Sequence, residues 1–327
     1  MDDQAQSAIG VILLNLGGPE RLQDVEPFLY NLFADRRIIR LGPALLQKPI
    51  AWMIAKRRAP KSRKAYALIG GGSPLKRLTM QQGAALEQQL ATAGSFKVVT
   101  AMRYWPPFAR ETLQQLADLN ISRIIALTLY PHYSKATTGS SLDDLREAAK
   151  AFPSPSFDLA EIAAWPDQPD YISCLADAIL AGMQQFGAAD VQLVYSAHSL
   201  PVQFIEEGDP YLDDMQKTIR GVEKITGLAG HLCFQSRSGP VEWLSPSTPE
   251  MLEKLAAQGC KNVLMVPISF VSDHVETLYE IDIQYREMAE ELGMTLKRTA
   301  SLNVQPRFIT ALKTLVEAAA RQKKWLA

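Results

Sequence analysis

His198 stands in the segment YSAHSLP (195–201), directly after the apolar run 191–196. A neutral imidazole there can take a proton near pH 7 or bind a borderline metal ion, and the same place suits a hydrogen-bonded structural histidine. Glu276 and Glu280 are four residues apart, which on a helix puts both carboxylates on one face, with Asp273 one turn earlier. A row of acids entering a cleft suits a divalent-cation path or a proton relay. A solvated helix face with acids favoured by the helix dipole reads the same way. Asp273 also has the spacing of an N-cap, with Glu276 three residues on.

Other patterns narrow the chemistry by what they lack. Gly70-Gly71-Gly72-Ser73-Pro74 looks like a phosphate cradle, but no Gly-Lys-Ser/Thr follows it, and the turn at 15–19 after the first apolar run is not GxGxxG. No GxSxG elbow, HExxH motif or zinc-spaced Cys/His pair occurs. The stretch 41–58 carries Leu45, Leu46, Ile50, Trp52, Met53 and Ile54, then Lys56, Arg57 and Arg58. Such a helix suits a membrane surface, the lip of a pocket for a greasy ligand, or an ordinary core-facing packing role.

Something must position these groups. Short apolar runs at 8–14, 96–101, 123–129, 191–196, 231–234 and 262–266 read as buried strands. Helical patterns lie between them at 20–34, 75–93, 111–119, 140–151, 210–226, 249–258 and 273–292, with a last one at 308–325. Strands spaced by helices of ten or more residues mean parallel sheets built from βαβ units. The expected fold is α/β, two doubly wound Rossmann-like lobes with parallel sheets facing a central cleft. A Pro-rich break at 152–157 puts the first lobe at 1–160 and the second at 161–327, the last helix being free to pack back on the first. Ligands of such sheets bind at the carboxyl ends of the strands. Most of the unusual polar and aromatic residues fall there.

The 327 residues suffice for about two domains. At 47% apolar and 21% charged the chain is an ordinary globular one. With 34 basic against 35 acidic residues the net charge is −1, which argues against generic nucleic-acid binding. Three scattered cysteines suggest a reducing, cytoplasmic setting. Met1–Ser7 does not read as a signal peptide, and no run of about 18 apolar residues would span a bilayer.

The strand-end motifs, in their order, resemble the ferrochelatase family, enzymes that insert ferrous iron into a porphyrin at the end of haem synthesis. The matching segments are LLNLGGP (13–19), FLYNLFADR (28–36), IGGGSPL (69–75), MRYWPP (102–107), LYPHYSKATTGSS (129–141), YSAHSLP (195–201), GDPY (208–211), CFQSRSGPVEWLSP (233–246) and PISFVSDHVETLYEIDI (267–283). They run nearly the whole chain. The resemblance implies that His198 takes pyrrole protons or holds the incoming metal, with Glu276 its partner across the macrocycle. It implies that Glu280 is the next acid on a metal or proton route, so that His198, Glu276 and Glu280 are the metal-binding candidates. Leu16, Arg103, Tyr104 and Phe270 would line the porphyrin pocket.

The implied substrates are Fe²⁺ and protoporphyrin IX, the apolar lip at 41–58 favouring the latter over coproporphyrin III. Arginines could meet the propionates. The lip could also touch a bilayer, placing the chain at the inner face of a membrane. A related chelatase for another metal and a non-catalytic tetrapyrrole or metal carrier are the rival readings. The chain departs from the family's pattern at Gln284, where a further carboxylate is often found, and at His132, often a glutamine. It ends without the cysteine-rich tail of some relatives, so no [2Fe–2S] cluster and no tightly bound cofactor are expected, iron being a substrate. Oligomeric state is left open.

Overall fold

The computed structural model of the chain describes residues 8–237, 239 and 241–326. The reading of Met1–Ser7 lies outside them, as do Ser238 and Pro240 of one motif. The chain divides into two units, one holding the residues up to Trp165 together with those from Asn303 on, the other Pro166–Leu302.

The first unit runs β1 (Ile9–Asn15), α1 (Val25–Ala34), α2 (Gln47–Leu68), α3 (Leu75–Leu90), β2 (Phe96–Met102), α4 (Ala109–Asp118), β3 (Arg123–Thr128), α5 (Ser140–Lys150) and β4 (Asp158–Ile162). Its four strands form one parallel sheet in the order β2-β1-β3-β4. β1 is buried along its whole length, because helices cover both faces of a parallel sheet and a central strand therefore reads as a continuous apolar run. Ile12, Leu14, Val99, Leu113, Leu116 and Leu145 build the core on one face.

The second unit runs α6 (Pro169–Gln184), β5 (Gln192–His198), α7 (Val202–Glu206), α8 (Tyr211–Thr226), β6 (Gly230–Gln235), α9 (Thr248–Ala257), β7 (Asn262–Pro267), α10 (Arg286–Glu291) and β8 (Thr295–Arg298). Its sheet has the same pattern, β6-β5-β7-β8, again parallel throughout. Val194, Leu252, Leu255, Val263 and Met265 pack at its centre.

The chain then returns to the first unit as α11 (Pro306–Gln322), which packs on α3 and β4. Residues 303–326, placed from sequence at the end of the second lobe with the last helix free to pack back on the first, thus belong to the first unit. Phe308, Ile309, Leu312 and Val316 form a buried stripe at helical spacing, and Phe308 lies 6.1 Å from Trp165 between ring centres.

Four elements escape the sequence pattern: α6, the short helix α7, and the short outer strands β4 and β8. β4 (DLAEI) and β8 (TLKR) are short, carry charged residues and lack the continuous apolar run of the central strands. The predicted helix at 273–292 has wide π-type turns over Glu276–Tyr285 before α10. The lip helix is longer than 41–58, running on to Leu68, and its faces are reversed from a core-packing helix. Gln47, Ala51, Ala55 and Ala59 are buried and face α1, whereas Leu45 is 91% exposed, Trp52 55% and Met53 59%.

In the glycine run 70–72, Gly70 and Gly71 turn the chain at positive φ and Gly72 is a packing device. The Ser73 amide donates to the Pro19 carbonyl at 2.7 Å, and a Cβ on Gly72 would come within 2.2 Å of the Glu20 carbonyl oxygen. The loop after β1 is thereby held backbone to backbone. Gly72→Ala should destabilise the fold by about 1–3 kcal/mol, as overpacking against an immovable backbone does; a thermal melt at wild-type midpoint would contradict this.

Candidate functional site

In each sheet the strand order reverses direction about one central strand, β1 in the first unit and β5 in the second. The crevice beyond that strand's carboxyl end is where parallel sheets bind ligands. His198 is the last residue of β5. Its Nδ1 lies 2.9 Å from Glu276 Oε2, and its side chain is 34% exposed against 15% for Glu276. An ionised Glu276 can only accept, so Nδ1 carries the proton and Nε2 presents its lone pair away from the pair.

This geometry corrects one expectation. Glu276 does not face His198 from across a macrocycle: both belong to the second unit and touch, leaving no room for a ring between them. The π-type turns begin at Glu276, shortly after the end of β7, the strand beside β5.

Around the pair the polar groups interlock. Glu280 Oε2 accepts from the Ser236 hydroxyl at 2.6 Å and from Gln235 Nε2 at 3.2 Å. Gln235 Nε2 also donates to the Glu276 carbonyl, and its Oε1 accepts from the Ser196 hydroxyl at 2.6 Å. His274 Nδ1 is 2.9 Å from the Ser272 carbonyl, which directs Nε2 toward Glu276 Oε2 at 3.7 Å. The Phe270 ring stands edge-on to His198 at 6.2 Å and lies 4.0 Å from the His274 ring, forming an apolar wall. Both predicted acids thus join the histidine cluster. Asp273 does not: it accepts from Ser301 and Thr277 and pairs with Arg298, and Val275 stands at the N-cap position before the π-type turns. Gln284 is exposed, and Asp282 is engaged by Arg298.

The electrostatics follow from this packing. Burial disfavours the His198 imidazolium, but the Glu276 charge and hydrogen bond, with the Glu280 charge behind them, outweigh it and hold His198 above the usual histidine range. Burial would likewise raise Glu276, yet His198 and His274 pull it well below the usual carboxylate range. Glu280 is pushed up to about 7, by burial first and the Glu276 charge second. One site therefore holds a strengthened base, a permanent carboxylate and a second acid that exchanges its proton near neutrality.

The first unit has its own cluster at the ends of β1 and β2. The Arg103 amide donates to the Asn15 carbonyl and the Tyr104 amide to that of Leu16. Asp35 Oδ2 accepts from Arg103 Nη2 at 2.7 Å, the Ser140 hydroxyl at 2.7 Å and the Tyr104 hydroxyl at 2.9 Å. Arg103 also pairs with Asp144 at 3.4 Å. Two carboxylates thus engage its charge, which makes it a poor free anchor for a propionate. Tyr104 is only 1% exposed and supports Arg103 from behind rather than lining an open surface. Leu16 is half-buried at the strand end, and His132 is buried past the end of β3.

Sequence reasoning gave no role to Asp35, Ser140, Ser196, Gln235, Ser236 or His274. All but Ser196, at a buried strand position, lie at strand or helix ends. The signal was their place inside the motifs FLYNLFADR, ATTGSS, CFQSRSG and SDHVE. Among the described residues no three of His, Cys, Asp or Glu form a cage able to hold a metal ion.

The ferrochelatase family model matches residues 8–320. The chain belongs to the ferrochelatase family. Ferrochelatases from Desulfotalea psychrophila and Geotalea uraniireducens are 59% and 52% identical to it, each over 94% of this chain and 96% of the relative. Among solved structures, SirB from Bacillus subtilis with Fe3+ matches with a TM-score of 0.56 at 11% identity, covering 97% of this chain and 98% of that one. The sirohydrochlorin chelatase SirB of the subspecies spizizenii, in complex with cobalt, matches equally well, with a TM-score of 0.56 at 11% identity over 97% of each chain. These last two show that the chain shares its fold with SirB.

Glu280 offers a stability readout. The native state holds its proton up to about pH 7, against 4.5 for an ordinary glutamate. The resulting stabilisation is complete below about pH 4.5 and is lost as pH rises to about 7. Glu280→Gln should flatten that decline in urea melts; an unchanged slope would mean the carboxyl titrates normally.

Proposed function

We propose that the chain catalyses Fe²⁺ insertion into protoporphyrin IX, releasing two pyrrole protons to give protohaem. The observation that carries the reading is a histidine bonded to a buried carboxylate at the end of the switch-point strand, in a chain of this family. Metallation requires a base for the two N–H protons, a weak hold on the ion and distortion of a stiff ring. His198 Nε2 supplies the base, and Glu276 stabilises the imidazolium that forms. Glu280, titrating near neutrality, accepts protons in turn and passes them toward solvent. His198, Glu276 and Glu280 are proposed as transient iron ligands, since a closed cage would retain the metal. Leu16 and Phe270 are proposed as porphyrin contacts, apolar surfaces whose binding energy would favour a bent ring. Iron enters as substrate, with no resident cluster or cofactor assigned.

We further assign the lip a membrane role. Exposed Leu45, Leu46, Trp52 and Met53 with Lys48, Lys56 and Arg57 make an apolar patch with a basic rim, suited to an anionic bilayer surface that carries a greasy substrate. No helix among the described residues is long and apolar enough to cross a membrane. With three free cysteines, the fitting place is the cytoplasmic face.

Iron insertion followed on protoporphyrin IX and coproporphyrin III side by side tests the chemistry. Turnover should favour protoporphyrin, and His198→Ala should lose about 100-fold or more on either while its circular dichroism is unchanged. Binding of porphyrin with insertion at background would make the protein a carrier. Faster turnover of coproporphyrin would reverse the substrate assignment. For the lip, Leu45→Ser with Trp52→Ser should reduce co-sedimentation with anionic liposomes; full retention would rule out membrane contact there.

A further inference from the structure

The GDPY motif (208–211) has no role in the chemistry above, yet its last side chain reaches the catalytic histidine. β5 outruns its neighbour at this end. The last β5–β7 pairing is Ser196 with Pro267, and the last backbone bond on that side runs from the Ile268 amide to the Ser196 carbonyl. His198 lies two residues beyond, where the ladder no longer satisfies its peptide groups on that side. Two side chains take over. The His198 amide donates to Ser269 Oγ at 2.9 Å, and its carbonyl accepts from the Tyr211 hydroxyl at 3.0 Å. Tyr211 is 5% exposed and Ser269 6%. The rest of the motif aims the tyrosine: Gly208 turns the chain at φ +83°, and Asp209 Oδ1 accepts from the Tyr211 amide at 3.1 Å where α8 begins.

We propose that Tyr211 is a positioning residue: with Ser269 it clamps the His198 peptide and so aims the imidazole at Glu276. Backbone groups left unpaired at a strand end find other partners and drift, and small displacements at a reacting centre cost rate steeply. The catalytic consequence rests on the proposed iron insertion. The clamp itself does not, and the test separates the two.

The chain has only four histidines, so selective ¹⁵N-histidine labelling resolves the His198 ring. In the wild type without substrate, the Nδ1–H held by Glu276 should give a downfield signal protected from exchange. Tyr211→Phe keeps the ring in place and removes only the hydroxyl. It should abolish that protection and lower kcat for metal insertion about tenfold, with the porphyrin KM unchanged within about twofold. Ser269→Ala should act in the same direction, and Ser269→Thr, which keeps the hydroxyl, should restore both readouts. A protected signal and wild-type kcat in Tyr211→Phe would overturn the proposal, as would a lowered melting temperature with both readouts unmoved. Loss of protection in a protein whose wild type inserts no metal would uphold the clamp and refute the functional reading alone.

Discussion

The contact between His198 and Glu276 sets the terms for everything around it. A carboxylate largely removed from water is costly unless it is paired and hydrogen-bonded. Here the imidazole pairs with it, and each partner moves the other's proton affinity in the direction that favours the ion pair. Because one side chain ends a strand and the other opens the turns after the neighbouring strand, the pair depends on the register of β5 and β7. A slip of one residue would point His198 to the opposite face of the sheet.

The two sheets share one strand order and use it alike. Each places its chemistry-bearing residues at the carboxyl end of the strand where connections diverge to both sides. In the second unit that end carries a base and two acids of different proton affinity. In the first, the end of β1 is bonded to the segment that follows β2, whose arginine is neutralised by Asp35 and Asp144 and backed by a buried tyrosine, a rigid support rather than a free cation. The contrast comes from partners and not from topology, since both ends are equally placed to receive a ligand.

Much of this was legible in the chain. Central strands announce themselves as Ile/Val/Leu runs because both their faces are covered, so β1, β3, β5 and β7 were found; the outer strands β2 and β6 carry enough apolar residues to be found too, and with these six came the strand ends bearing His198 and Arg103. The outer strands β4 and β8 and the helix α6 left no comparable pattern. The sequence left the α2 faces open between a lip or membrane surface and core-facing packing; alanines at spacing four make the close approach to α1, and Trp52 and Met53 are left outside.

From the residues alone came the fold class, the family resemblance and the identity of the histidine and acids, because these are carried by residue type, local periodicity and motif order. Tertiary structure decided which of them meet. Glu276 touches His198 instead of standing opposite it, Asp273 turns away to Arg298, and Asp35, Ser140 and Tyr211 enter from distant segments. Hydrogen bonds of about 3 Å between residues tens of positions apart depend on strand register and helix packing, and no local pattern in a chain encodes a distance of that kind.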